Sequence, residues 1–177
     1  MIINKKISIE VLKQIREFIG EDIHMNIIYN GNMYHLDKYH LRDYPSIDID
    51  TIDELNCLEI DGFSLHYPPH HIQEARNAII DIHKKFKDQI SAFQNNEHID
   101  MTALGCSKRE GIEIIKNHFH IKDNQIYAIG DSFNDLPMFS HVHESFTFDS
   151  SDKEVQRNAN HTVKSIAEAI DYLLKKD

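Results

Sequence analysis

YAIGDSFNDLPM, Tyr127 to Met138, sets a short apolar run directly ahead of three polar, potentially liganding side chains. The run reads as a strand over 125–129 that ends at Gly130, and the spacing predicts a helix over 133–140. Asp131 therefore falls just beyond the carboxyl end of a strand, where ligands gather in open α/β sheets. Asn134 and Asp135 open the helix that follows. Two carboxylates and a carboxamide brought together suit a hard, oxygen-seeking cation such as Mg²⁺, which takes few protein ligands and keeps waters or phosphate oxygens. Helix capping is the alternative, since Asp, Ser and Asn are preferred caps. Capping accounts for one of these residues well and for the cluster poorly.

The surrounding pattern is regular α/β from Ser107 onward: helix 107–119, strand 125–129, helix 133–140, strand 145–148 and a closing helix at 165–175. In CSKREGIEIIKNHF, Lys108 sits in the first turn of an amphipathic helix, where a cation opposes the macrodipole at a cost of roughly a few tenths of a kcal/mol. Such a lysine is either solvated or answers an anion. A helix N-terminus binds phosphate, and Lys108 would add a full positive charge to that field.

Upstream the pattern differs. IEVLKQIREFI, residues 9–19, is an amphipathic helix with Ile9, Leu12, Ile15 and Ile19 inward, Ser8 as N-cap and Gly20 as stop. Runs at 23–29 and 33–36 flank Asn30-Gly31, a hairpin signal. A polar stretch from Asp37 to Asp53 reads as loop, with a short helix near Thr51. Residues 56–66 form a strand that Asp61-Gly62 bends or breaks. A long helix over 70–87 turns Ile72, Ala75, Ala78, Ile79, Ile82 and Phe86 inward, and strands at 89–94 and 98–103 close the segment. The boundary is drawn near 103, between an antiparallel α+β portion (1–103) and a βαβ-like portion (104–177).

Composition narrows the function classes. The 177 residues carry 29 acidic and 19 basic side chains, a formal charge of −10. That balance argues against nucleic acid or an anionic membrane as partner, since both need a basic face. Cys57 and Cys106 form no ligand-like spacing, and no apolar run approaches 18 residues, so a reducing cytoplasm is the expected home. His70 and His71 are adjacent, unlike the i, i+3 or i+4 ligand spacing of zinc helices, and read as solvated residues at a helix entry.

Lys108 in SKREG, followed about one helix later by YAIGDSFNDLPMF, resembles the third and fourth motifs of the haloacid dehalogenase (HAD) superfamily. More narrowly the chain is similar to the Cof-type phosphatases, which carry a large α/β cap inserted before the lysine motif. The match runs from about 97 to 175, with VQRNANHTVKSIAEAIDYLL in place of the closing helix-strand-helix. Residues 7–96 resemble the cap in element order only. The resemblance implies an α/β fold: the C-terminal half of a Rossmann-like HAD core plus an α+β cap with an antiparallel sheet. It implies Mg²⁺-dependent hydrolysis of small phosphorylated metabolites such as sugar phosphates. Asp131 would bind Mg²⁺, Asn134 would contact the phosphate, and Asp135 would support the metal shell or orient the lysine. Lys108 would neutralise the phosphate and the aspartyl-phosphate that forms.

Two parts of the family pattern are missing. Such phosphatases attack with an aspartate in an N-terminal Asp-x-Asp-Gly-Thr, and no such pattern precedes the first helix; the second motif, a Ser/Thr after another strand, is also lacking. SIDIDTID, with Asp48 and Asp50, follows Tyr44-Pro45 where a buried strand is needed. LEIDGFSL has Glu59 in place of the first carboxylate and Phe63 in place of threonine. A capped turn and a bent strand suffice for these two. The expectation is a truncated hydrolase, inactive alone, that self-associates or meets a complementing N-terminal fragment. The alternative is a non-catalytic remnant that keeps a phosphate or metal pocket as an interaction module. A receiver-like aspartyl-phosphate domain is a third reading, and it leaves residues 20–96 unexplained. Tyr29, Tyr34, His66 and Tyr67 are the side chains considered for substrate contact, each with a structural role as the alternative.

Overall fold

The computed structural model describes residues 5–36 and 45–175. The expected loop over Asp37–Asp53 lies partly outside the described residues. The chain divides after Cys106 into two compact units, Met1–Cys106 and Ser107–Asp177.

The first unit opens with β1 (Ile7–Ser8), which runs straight into α1 (Ile9–Ile19). The Ser8 hydroxyl accepts the Glu10 N–H, and Gly20, at φ 87°, returns its N–H to the Arg16 carbonyl. That positive φ is one that glycine reaches without steric cost. Strands β2 (His24–Tyr29) and β3 (Asn32–Leu36) form a hairpin whose turn places both Asn30 and Gly31 at positive φ. There follow β4 (Ile47–Asp48), a 3-10 turn at Ile52–Leu55, β5 (Glu59–Ile60), β6 (Gly62–His66), α2 (Ile72–Phe86), β7 (Ile90–Asn95) and β8 (His98–Ala103).

Six of these strands form one sheet in the order β4-β3-β2-β6-β8-β7, antiparallel except for the β3–β4 pair. Strand alternation gives it one apolar face, with Met25 and Ile27 beside Phe63 and Leu65, then Ile99 and Met101, then Ala92. These side chains share a core with Leu12 and Ile15 of α1 and Ile79, Ile82 and Phe86 of α2. Ile72, expected to face inward, is 43% exposed. It is the first residue of α2, ahead of the turn that reaches the core.

The chain breaks between β5 and β6 at Asp61. Its backbone N–H reaches the Ile28 carbonyl, and its carboxylate pairs with Lys6 and accepts the Asn30 N–H at 2.8 Å. Asp61 therefore ties β1, the β2–β3 turn and the strand break together. Around Asp50, Glu54 reaches back to accept the N–H groups of Asp50 and Thr51 at 2.7 and 2.8 Å. Both stretches weighed against the nucleophile pattern thus have local structural explanations, at Asp61 and in the turn after Asp50.

The second unit runs α3 (Lys108–Phe119), a 3-10 turn at Asp123–Gln125, β9 (Tyr127–Ile129), a 3-10 turn at Phe133–Asp135, α4 (Leu136–Phe139), β10 (Glu144–Phe148), α5 (Lys153–Asn158), β11 (His161–Val163) and α6 (Ile166–Leu174). The helix expected over 133–140 is a tight turn followed by four α-helical residues. Apolar patterning by itself had not assigned α5 or β11, which are too short to show a period. The three strands are parallel, in the order β11-β10-β9. One set of side chains, Met138, Phe139 and Val155, packs with Ile112 and Ala128; another, Phe146, Val163 and Ala169, packs with Ile129 and Leu173.

Among the described residues β9 pairs only with β10. Several large apolar side chains of this unit remain exposed: Ile115 and Phe119 on α3, Tyr127 on β9, and Ile166, Ile170 and Leu174 at i, i+4 and i+8 on α6. Among the described residues no helix is long and apolar enough to cross a membrane.

The junction at Asp61 gives a direct test. Asp61→Ala removes an ion pair and a backbone acceptor, and is expected to cost about 1–3 kcal/mol of stability in urea unfolding. A cost near zero would mean the junction does not depend on this carboxylate.

Candidate active site

The site is built at the end of β9. Gly130 donates its N–H to the Phe146 carbonyl, which carries the strand pairing one residue past β9. The backbone then turns through Asp131 and Ser132, and the Asp135 N–H returns to the Ser132 carbonyl at 3.0 Å. The Asp135 side chain folds back over this turn. Its Oδ2 accepts the N–H groups of Asp131 and Ser132 at 2.9 and 3.1 Å, and its Oδ1 pairs with the Lys108 ammonium. Asp135 is buried, with 2% of its side chain exposed, whereas that of Lys108 is half exposed.

A carboxylate three residues into a helical turn, reaching back to free amides, is half of a capping box. Capping therefore describes Asp135, in agreement with one of the two readings of the cluster, but its other oxygen goes to a lysine 27 positions earlier. Gly130 is required by the same arrangement. A Cβ there would fall within the space filled by the Asp135 carboxylate, so close approach sets the glycine.

Asn134 lies alongside. Its Oδ1 accepts the Ser132 hydroxyl at 3.2 Å and lies 3.4 Å from Lys108 Nζ. Its amide nitrogen has no partner among the described residues. Asp131 is exposed, and its carboxylate likewise makes no hydrogen bond or ion pair among the described residues. The four residues singled out from the sequence are thus gathered at one strand end, in two kinds of environment. Asp135 has both oxygens engaged by donors of this chain. Lys108, Asn134 and Asp131 each keep a free hydrogen-bonding or ligating face.

Mg²⁺ commonly takes one or two protein carboxylates and completes its octahedron with water and phosphate oxygens. The Asp131 carboxylate, exposed and unengaged, has the right donor chemistry. Among the described residues no three His, Cys, Asp or Glu side chains come together to hold a metal. A metal would thus be held by few ligands from this chain.

In the first unit, Tyr29 and Tyr34 pack against the core, their ring centroids 6.3 Å apart. Tyr67 is buried, and that burial pushes its phenol pKa up. Their structural readings are the better ones. His66 lies on the opposite, polar face of the sheet.

The chain matches the family model of haloacid dehalogenase-like hydrolases over residues 1–171 and belongs to that family. A candidate phosphatase of Mycoplasma pneumoniae is 36% identical over 92 residues, 48% of this chain and 31% of that protein. A candidate HAD/COF-like hydrolase from Plasmodium vivax has a similar structure, with a TM-score of 0.78 at 22% identity, covering 97% of this chain and 64% of that one. A HAD subclass IIB sugar phosphatase superposes with a TM-score of 0.72 at 17% identity, covering 93% of this chain and 65% of that one. The chain thus spans 31% of the curated relative and 64% of the first structural one. The fold is that of a HAD core with a cap.

Two substitutions test the clamp. Asp135→Ala leaves two amides and an ammonium without their acceptor, and is expected to lower stability by about 3 kcal/mol in chemical denaturation. Gly130→Ala should cost about 1–3 kcal/mol through overpacking. If both unfold with the parent midpoint, Asp135 is not held as described.

Proposed function

We propose that this chain supplies the lysine- and metal-bearing part of a Mg²⁺-dependent phosphoric monoester hydrolase acting on small phosphorylated metabolites, sugar phosphates among them. The observation that carries the reading is the clamp at the end of β9. Asp135 fixes the Lys108 ammonium beside Asn134 and leaves the Asp131 carboxylate open. Free cysteines at 57 and 106 accord with a reducing cytoplasm as its location.

In this reading Lys108 binds a phosphate oxygen with the ammonium protons that Asp135 does not take. Asn134 turns its amide nitrogen to a second oxygen while its carbonyl stays on Ser132. Mg²⁺ held at Asp131 would supply further positive charge to the phosphoryl group. Asp135 orients the lysine, the one of its two implied roles that its hydrogen bonds favour. These donors are set before the reaction, so they stabilise developing charge without having to reorganise.

The attacking carboxylate would come from outside these 177 residues. It displaces the ester oxygen from phosphorus, a second acid protonates the leaving alcohol, and water then hydrolyses the aspartyl-phosphate. The open edge of β9 and the apolar side chains around it fit docking of the segment that carries these acids, or of a second copy.

In an active assembly, Lys108→Ala is expected to lower kcat by about 10²–10³, and Asp131→Asn to abolish the Mg²⁺-dependent turnover. Parent rates for p-nitrophenyl phosphate in both variants would overturn the assignment. The chain alone should sediment as a species heavier than its 20.7 kDa monomer. A clean monomer at every concentration would contradict self-association.

A further inference from the structure

Asn134 is the middle residue of the 3-10 turn Phe133–Asp135. Phe133 and Leu136 both pack with the Met138, Phe139 and Val155 side chains, so the backbone is anchored on either side of Asn134. The terminal torsion of an asparagine is broad and roughly twofold, and sterics alone do not choose between its oxygen and its nitrogen. Hydrogen-bond partners make that choice. Two lie close to Oδ1: the Ser132 hydroxyl at 3.2 Å and Lys108 Nζ at 3.4 Å.

A lysine ammonium can only donate, so the amide atom that faces it must be the oxygen. The serine hydroxyl then donates to that same oxygen. These two donors are unequal. Lys108 reaches over from the start of α3 on a long, half-exposed side chain, and its ammonium is already paired with Asp135. Ordering such a side chain is costly in rotamer entropy. Ser132 carries its oxygen on a single rotatable bond, and its own backbone N–H is tied to Asp135 Oδ2 at 3.1 Å. Of the two, the hydroxyl is the nearer and the more firmly placed.

We infer that Ser132 is a positioning residue, whose hydroxyl holds the Asn134 oxygen and so keeps the carboxamide nitrogen for an oxyanion. The effect is one of polarity. With its oxygen held, the amide offers two N–H donors to a phosphate. Turned over, it would set a carbonyl oxygen against the phosphate oxygens and repel them. The hydroxyl also spares Lys108. An ammonium has three protons, and one that is not needed to hold Asn134 can go to the ligand. Threonine can do the same work at position 132, and alanine cannot. The role in turnover rests on the phosphatase reading above, whereas the hold on the amide exists without any ligand.

The test is ¹⁵N relaxation of the Asn134 side-chain amide in the full 177-residue chain, which reads its ps–ns order directly. The parent should show a rigid carboxamide and Ser132→Ala a mobile one, and Ser132→Thr should restore the parent behaviour. Circular dichroism checks the fold of each variant. An amide as ordered in Ser132→Ala as in the parent overturns the inference, and so does a loss that threonine leaves unrestored. Titration with inorganic phosphate up to about 100 mM then reads the Asn134 amide and the Lys108 ammonium together. Both should move in the parent. Ser132→Ala should bind phosphate about 2- to 10-fold more weakly, with Lys108 still responding and the Asn134 shift largely lost. Equal affinity and an equal Asn134 shift in the two proteins would overturn the inference and leave the phosphatase reading standing. If phosphate moves neither signal in the parent while amide order still follows the hydroxyl, the hold on Asn134 stands and the phosphatase reading falls.

Discussion

One buried carboxylate organises the candidate site. Asp135 has two oxygens and spends them in two directions, one on the amides that close the turn after β9 and the other on Lys108. Burying a charge is costly unless it is paired and hydrogen-bonded, and here both conditions are met. The arrangement dictates much around it. Position 130 must lack a Cβ, the turn must be tight, and the first residue of α3 must carry an ammonium. It also sets the two acids apart, since both oxygens of Asp135 are engaged by donors of this chain. The neighbouring Asp131, outside the clamp, has no such engagement.

The same constraint reconciles the two readings of the GDSFND stretch. Capping and ligand binding are not alternatives for the cluster as a whole. Asp135 caps, and by capping it fixes the lysine. Lys108 at a helix N-terminus is locally unfavourable, and its position makes sense once Asp135 is seen to answer it. The half of the ammonium that remains exposed is what a phosphate would meet.

The legible parts of the fold were those with local causes. Asn30-Gly31 marked its hairpin because that turn needs positive φ at both positions, and Ser8 and Gly20 marked the ends of α1 through capping chemistry. The gathering of Lys108, Asp131, Asn134 and Asp135 was readable because they lie near a strand end and a helix start. The division of labour between Asp131 and Asp135 was not, because it depends on which carboxylate folds back, a matter of turn geometry. The short α5 and β11 were too brief for periodicity to register. The histidines of the polar sheet face were hidden for a different reason. His24, His66 and His98 are distant in sequence and meet only through the register of three strands, which no local pattern records.

The central claim is that Asp135 is a clamp already satisfied by protein donors and Asp131 is the open carboxylate. Side-chain carboxyl ¹³C shifts followed through a Mg²⁺ titration of the chain test it most directly. The account predicts that the Asp131 carboxyl moves while those of Asp135 and the Lys108 ammonium it holds stay in place. Movement of the Asp135 carboxyl first, with release of Lys108, would contradict it.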